Sequence, residues 1–468
     1  MKRIVIIGAG PGGYEAAVRA AQLGADVKLI EKNELGGTCV NVGCIPTKAL
    51  WEVARIRDDI TRGADMGIHV KDLSLDPVGI YNRKNYVVNR MKGGIKFLMK
   101  SYPNIEVIKG IGKLKNKNTV TVTTEDGETR DVEADAIIIA TGSEVTMPEI
   151  EGINLDGVMT SNDILELQEI PESMVVIGSG VIGMEFTSIY SKFGTKIELI
   201  GRVMAKQADG EISRKLESLV DVLNVKFRKG YRAEKIEEKD GKLYVTIYNK
   251  EKDDRIIVEG EKVLVASGRK AYMDKLNADE IGIKSDKTGI FVDKDFKTNI
   301  DGIYAIGDVV SGNLQLAHLA SAQGIYLVEK LMGEKPEINL DVVPGATYTI
   351  PTIAGVGKTE EDLKAEGKDY IIKKTLFSSN GKSVAMNKTD GFIKIIASPD
   401  LQKIYGVHII GNEASDIIHI GAMAMANDMT VEDLNRVIFV HPSVSETFME
   451  TSHMLAGKSI NTPKYVNK

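Results

Sequence analysis

A chain of 468 residues with 43% hydrophobic and 27% charged side chains has an ordinary globular composition, long enough for about three domains of roughly 150 residues. Its net charge of −6 and pI near 5.8 argue against a nucleic-acid surface. No apolar run approaches the ~20 residues of a membrane span, and the N-terminus enters a strand with no signal-peptide core. A cytoplasmic protein that binds neither nucleic acid nor membrane is expected.

Residues 3–7, Arg-Ile-Val-Ile-Ile, read as a buried parallel strand. Gly8-Ala-Gly10-Pro-Gly-Gly13 follows, then a helical pattern over Tyr14–Leu23 and a strand Val27–Ile30 that ends at Glu31. Strand, GxGxxG, helix, strand, acid is the dinucleotide-binding order. Gly8 makes the turn, Gly10 lets backbone N–H groups near a pyrophosphate, and Gly13 permits close helix packing. Glu31 is expected to accept a ribose hydroxyl.

Cys39 and Cys44 are the only cysteines, and they lie in Leu-Gly-Gly-Thr-Cys-Val-Asn-Val-Gly-Cys-Ile-Pro-Thr-Lys. Two thiols make no extracellular disulfide framework, and CxxxxC lacks a second pair of zinc ligands. Five residues of ideal helix at about 1.5 Å each would separate the Cα atoms by roughly 8 Å, beyond the about 7 Å that a disulfide spans. The backbone must bend between them, and Gly43 and Pro46 suit a break followed by a new helical turn. A helix opening there favours thiolates. Two buried reduced cysteines remain the alternative.

A helix over 47–64 carries Trp51, read as a packing residue, and a polar helical stretch covers 77–102. An alternating β segment spans 105–133, with turns at Asn116–Asn118 and Asp126-Gly127. The apolar strand Ala136–Ala140 runs into Thr141-Gly142. A second fingerprint follows: strand Met174–Ile177, Gly178-Ser-Gly180-Val-Ile-Gly183, a helix to Phe193, and strand Ile197–Ile200. Here the strand ends in Gly201-Arg202 instead of an acid, with Lys206 just beyond. Arg202 either meets a 2′-phosphate or is a solvated loop residue. Strands 231–248 and 255–266 lead to Ala266-Ser-Gly268-Arg269, and strand Ile303–Ile306 ends in Gly307-Asp308. Ala317-His318 opens a helix. Beyond Asn339 come strands Thr347–Thr349, Tyr370–Phe377, Phe392–Ala397 and Ile404–Ile410, with helices at 413–427 and 431–437. His441-Pro-Ser-Val-Ser-Glu446 closes the set.

GGTCVNVGCIPTKAL resembles the redox disulfide of the pyridine nucleotide–disulfide oxidoreductases, a flavoenzyme family, and the Ala-Thr-Gly, Gly-Asp and HPSVSE elements extend the likeness over nearly the whole chain. The resemblance implies an α/β fold with two Rossmann-like dinucleotide-binding domains and a C-terminal α+β dimerisation domain. FAD would occupy 1–143 with 270–338, NAD(P) 144–269, and the interface 339–468. Cys39 and Cys44 would form the redox disulfide, with Cys44 nearer the flavin. Lys48 would lie by the flavin and pair with Glu185, which would contact the nicotinamide. Thr141, Gly142, Asp308 and Ala317 would meet FAD, and Gly178, Gly180, Gly183 and Gly268 would frame the second nucleotide. His441, held by Glu446, would act as base on the partner's disulfide, so a homodimer is expected. The substrate implied is a dithiol on a lipoyl-bearing protein of a 2-oxoacid dehydrogenase or glycine cleavage system, with NAD as acceptor and NADP open. The alternatives are an NADPH-dependent reductase of another disulfide and a subunit that serves chiefly to dock into a complex. The polar tail 456–468 is expected to carry no lipoyl domain or targeting peptide, and no metal site is expected.

Overall fold

The computed structural model describes residues 1–220, 224–461 and 463. The first run of the chain alternates strand and helix: β1 (Arg3–Ile7), α1 (Pro11–Gln22) and β2 (Asp26–Glu31). Two helices follow head to tail, α2 (Gly37–Val42) and α3 (Cys44–Arg62), then α4 (Pro77–Lys100) and β3 (Ile105–Lys109). The β-branched run of β1 is completely covered at Ile4, Val5 and Ile6, as expected of a strand with helices on both faces. The five-stranded sheet has the order Ile303–Ala305, Ala136–Ile139, β1, β2, β3, all parallel. A three-stranded antiparallel meander, Ile111–Asn116, Thr119–Thr123 and Thr129–Glu133, is inserted between its third and fourth strands in sequence.

A second parallel sheet repeats the plan. Its order is Val158–Thr160, Lys262–Val265, Ser173–Ile177, Lys196–Gly201, Val225–Lys229, with another meander, Arg232–Lys239, Lys242–Asn249 and Asp254–Gly260, in the matching place. Each of the stretches 231–248 and 255–266 therefore breaks into two strands. The first folds back at Asp240-Gly241, and the second divides between the meander and the parallel sheet. Paired segments Ser143–Val145 and Arg269–Ala271 carry the chain out of the first sheet and back. The third sheet is antiparallel, ordered Gly345–Thr347, Ile353–Gly357, Ile404–Ile410, Phe392–Ala397, Ile371–Leu376. Two parallel sheets with flanking helices, plus this α+β unit, make the α/β architecture that was expected.

Some differences are local. Thr347 ends its strand, while Thr349 turns back to donate its hydroxyl to the Pro351 carbonyl. The segment 431–437 is helical only over Val431–Leu434, closed by a capping box between Thr430 and Asp433. Helices Gly210–Val220 and Glu446–Leu455 and strand Ile353–Gly357 went unread because their short apolar patterns match several periods. Of the tail, residues 462 and 464–468 lie outside the described residues.

Close packing explains the fingerprint glycines. A Cβ on Gly13 would sit 1.9 Å from the Gly8 carbonyl oxygen, and one on Gly183 would sit 1.9 Å from that of Gly178. Gly93, inside α4, meets nothing within 4 Å. Gly93→Ala is therefore expected to stabilise the chain by about 0.5–1 kcal/mol through helix propensity, whereas Gly13→Ala destabilises it. Thermal denaturation of the two variants should shift in opposite directions, and shifts of the same sign would contradict this packing account.

Candidate active site

The redox stretch is built from a broken helix. Gly43 separates α2 from α3 with φ −144° and ψ −114°, and its carbonyl accepts both the Thr47 N–H (3.1 Å) and the Thr47 hydroxyl (2.7 Å), starting α3 afresh. A side chain at Gly43 would crowd the Thr38 carbonyl at 2.9 Å. The break brings the side chains of Cys39 and Cys44 next to one another. Their acidities diverge. The neighbouring Cys39 thiol, with help from the Lys48 charge, lowers Cys44 against the cost of burial. The same contact and burial push Cys39 upward.

α2 is docked directly on the first fingerprint. The Gly36 N–H donates to the Ala9 carbonyl at 2.8 Å, and a Cβ on Gly37 would lie 2.6 Å from Gly10 Cα. Glu31 ends β2 with its carboxylate held by the Ala9 N–H at 2.7 Å and the Asn33 N–H at 2.8 Å. A Cβ on Gly10 would meet nothing closer than Gly37 Cα at 3.9 Å, so the backbone there is approachable. Thr141 and Gly142 turn the chain, with the Thr141 hydroxyl on the Tyr272 carbonyl (2.6 Å) and the Tyr272 N–H on the Gly142 carbonyl (2.9 Å). Ala317 opens the helix Ala317–Met332, which packs on α1 so closely that a Cβ on Gly324 would meet the Gly12 carbonyl at 2.6 Å.

Asp308 belongs to a chain of contacts that sequence reading caught only in part. The Ser143 hydroxyl donates to Asp308 Oδ2 at 2.6 Å, Arg269 Nε donates to that hydroxyl at 2.8 Å, and Arg269 Nη2 reaches the Ser143 carbonyl (2.6 Å) and Thr38 Oγ1 (3.4 Å). Burial raises Asp308 and lowers Arg269, each against its neighbour's charge. Ser143 and Arg269 were missed. The signal was the arginine directly after Gly268.

Lys48, one turn past Cys44, places Nζ 2.8 Å from both oxygens of Glu185, which lies in the helix Val181–Phe193 after the second fingerprint. Glu185 is nearly buried and also accepts the Tyr348 N–H at 3.0 Å, while Lys48 Nζ stands 4.6 Å from the Tyr348 ring centre. Tyr348 was not anticipated. Trp51 packs edge-on to Tyr348 and donates to the Thr349 carbonyl at 3.2 Å, a packing role as expected. Gly178 and Gly180 frame the second fingerprint, with nothing within 4 Å of a Cβ on Gly180, and Gly268 accepts the Thr146 N–H at 3.0 Å. Arg202 is exposed and has no hydrogen bond or ion pair among the described residues.

His441 stands apart. Its ring is 81% exposed, with Nδ1 donating to Glu446 Oε1 at 2.9 Å. The Ser443 N–H holds the other carboxylate oxygen at 2.8 Å, and these two bonds outweigh burial and keep Glu446 below the usual carboxylate range. No contact joins His441 to the thiols of its own chain among the described residues.

Residues 2–324 match the family model described as pyridine nucleotide-disulphide oxidoreductase, and 343–452 match that family's dimerisation domain. The chain belongs to this family. It is 39% identical over 472 residues to the mitochondrial dihydrolipoyl dehydrogenase of Homo sapiens, covering 98% of this chain and 91% of that protein. The Pisum sativum mitochondrial enzyme of the same name is 37% identical over 465 residues, covering 98% and 92%. Among solved structures, LpdA from Mycobacterium tuberculosis aligns with a TM-score of 0.89 at 27% identity, covering 97% of this chain and 100% of that one. The HOCl-induced flavoprotein disulfide reductase RclA from Escherichia coli aligns at 0.85 and 28%, covering 97% and 99%. The oxidoreductase family uses FAD and NAD(H), and the open backbone at Gly10, the pinned Glu31 and the buried Asp308 fit a flavin dinucleotide. No helix among the described residues is long and apolar enough to cross a membrane, and no group of residues there could hold a metal ion.

The acidity of Cys44 leads to a pH prediction. The thiolate exists above its pKa, so alkylation of the dithiol-reduced protein by iodoacetamide should rise through a midpoint below the about 8.5 of an ordinary thiol. Lys48→Met removes a stabilising cation and should move that midpoint upward. An unmoved midpoint, followed by mass spectrometry of the labelled peptide, would remove Lys48 from the account.

Proposed function

We propose that this protein is an FAD-dependent dithiol–disulfide oxidoreductase that oxidises protein-bound dihydrolipoamide to lipoamide with NAD+, working as a homodimer. The observation that carries the reading is the cysteine pair across the Gly43 break beside the Lys48–Glu185 ion pair, which joins the redox helix to the second nucleotide helix. The 37–39% identity to dihydrolipoyl dehydrogenases supports this substrate. The matched dimerisation domain supports the dimer, as do the exposed apolar side chains of Ile438 and Val440 beside His441.

In this mechanism His441 Nε2, left free by the Nδ1–Glu446 bond, takes a proton from one substrate thiol at the partner subunit's disulfide. The substrate thiolate attacks Cys39 Sγ, the Cys39–Cys44 bond breaks, and Cys44 leaves as a thiolate. The Lys48 charge, one turn past Cys44, steadies that thiolate. The second substrate sulfur, as its thiolate, then displaces Cys39, which takes up a proton. The substrate leaves as a cyclic disulfide and the protein holds the electron pair as a reduced Cys pair. Bound FAD supplies the two-electron relay between this pair and the nicotinamide. Glu31, Asp308, Thr141, Gly142, Ala317 and the glycines Gly8, Gly10 and Gly13 would hold that flavin. Gly178, Gly180, Gly183, Glu185 and Gly268 would receive the pyridine nucleotide. Losing Lys48 would leave Glu185 charged, nearly buried and unpaired, at a cost on the order of 3 kcal/mol.

A second reading, an NADPH-dependent reductase of another disulfide, is favoured by one feature. Gly201 occupies the strand end that Glu31 occupies in the first fingerprint: Gly8 N–H donates to Ile30 O and Gly178 N–H to Ile200 O, one residue before each. A Cβ on Gly201 would meet Ser179 Oγ at 2.1 Å, so the place of an acidic side chain is filled, and the next residue is the unpartnered Arg202. Steady-state turnover of dihydrolipoamide with NAD+ and with NADP+ separates the readings. Efficient use of NAD+, lost in Cys44→Ser with FAD retained, is expected. Preference for NADP+ that disappears in Arg202→Ala would favour the second reading, and full turnover in Cys44→Ser would sink the mechanism.

A further inference from the structure

Strand Phe392–Ala397, Phe-Ile-Lys-Ile-Ile-Ala, is apolar except for one lysine, and all six residues are buried. Lys394 has a side chain 0% exposed, and so does its partner Asp209. Lys394 Nζ lies 3.0 Å from both Asp209 oxygens, 2.9 Å from Glu360 Oε2 and 3.5 Å from Glu211 Oε2. Burying such a group is a poor route to stability, since desolvation cancels most of the attraction. Its use is geometric, and the geometry joins two units. Lys394 and Glu360 belong to the C-terminal unit, while Asp209 and Glu211 belong to the second nucleotide unit. His408 also faces Asp209, but burial holds it below its ordinary pKa and its Nε2 donates to the Lys358 carbonyl at 2.9 Å. Lys394 is thus the cation on this carboxylate.

Asp209 closes the loop that leaves strand Lys196–Gly201. Its Oδ1 accepts the Glu211 N–H at 3.0 Å in the first turn of helix Gly210–Val220, and its Oδ2 accepts the Glu360 N–H at 3.2 Å. The loop's other end is fastened to the fingerprint: Ser179 Oγ donates to the Val203 carbonyl at 2.8 Å, and the Ala205 N–H donates to the Ser179 carbonyl at 2.9 Å. In a Rossmann unit the end of this strand meets the adenosine ribose. The loop 202–209, with Arg202 and Lys206, is therefore clamped between the fingerprint and a lysine from another unit.

We propose that Lys394 is a positioning residue for the second dinucleotide site, acting through Asp209 on the loop that receives the adenosine end of the pyridine nucleotide. The inference rests on the reading that this fingerprint holds a pyridine nucleotide. It does not depend on the dithiol substrate, so the KM measurement that decides it uses no dithiol, and the dithiol serves only as a control. The FAD-loaded protein is assayed for oxidation of NADH and NADPH by ferricyanide, and reduction of its flavin by dihydrolipoamide is followed separately. Lys394→Met and Asp209→Asn should each raise KM for the nucleotide about tenfold while kcat stays within about twofold. Flavin reduction by the dithiol should not change. Lys374→Met, which cuts the exposed Lys374–Glu211 pair on the same seam without touching the loop, should leave KM unaltered.

An unchanged KM in both loop variants would overturn the proposal, as would an equal rise in Lys374→Met, which would make the whole seam responsible. Failure of both loop variants to fold with FAD would also overturn it and make the pair a folding element. A wild-type protein that oxidises neither nucleotide would instead sink the reading on which the proposal stands.

Discussion

Three separately formed sheets meet at one ion pair. Lys48 comes from the helix after the redox cysteines, Glu185 from the helix after the second fingerprint, and Tyr348, which donates its backbone N–H to Glu185 and lays its ring by Lys48, from the C-terminal unit. With Glu185 almost out of water, these partners take up its carboxylate oxygens and place a cation beside them. The pair fixes how the thiols stand relative to the second nucleotide helix, and the positive charge of Lys48 is one cause of the acidity of Cys44.

The closeness of the two cysteines is itself a backbone result. Without the break at Gly43 a continuous helix would carry Cys39 and Cys44 too far apart to touch. With it, the two side chains become neighbours. The same short helix rests on the first fingerprint through the Gly36–Ala9 bond, so the glycine turn and the cysteine stretch are held against each other.

The two fingerprints share a plan but differ at the end of the strand that follows each helix. In the first, Glu31 is pinned by two backbone N–H groups. In the second, Gly201 and the Ser179 hydroxyl fill that place. Steric exclusion at one Cβ therefore separates two sites with the same strand order and the same glycine spacing. Lys394 adds a constraint from outside the nucleotide unit, so the adenosine-side loop is shaped by a contact between units as much as by its own sequence.

Strand–GxGxxG–helix order is local physics, since β-branched runs, tight turns and close glycine packing all act within about thirty residues. Both nucleotide folds and the Cys39–Cys44 pair with its necessary bend were legible in the sequence for that reason, while the pairing of His441 with Glu446 was legible through family likeness. The partnership of Lys48 with Glu185 was legible through family likeness alone, because 137 residues separate them. Ser143, Arg269, Tyr348 and Lys394 carry no local pattern, and their roles arise where distant segments converge. A lone lysine in an apolar strand reads as an irregularity until the fold sets Asp209 against it. Local periodicity determined the elements and the reactive pair, and tertiary packing decided which charges survive burial and what they hold.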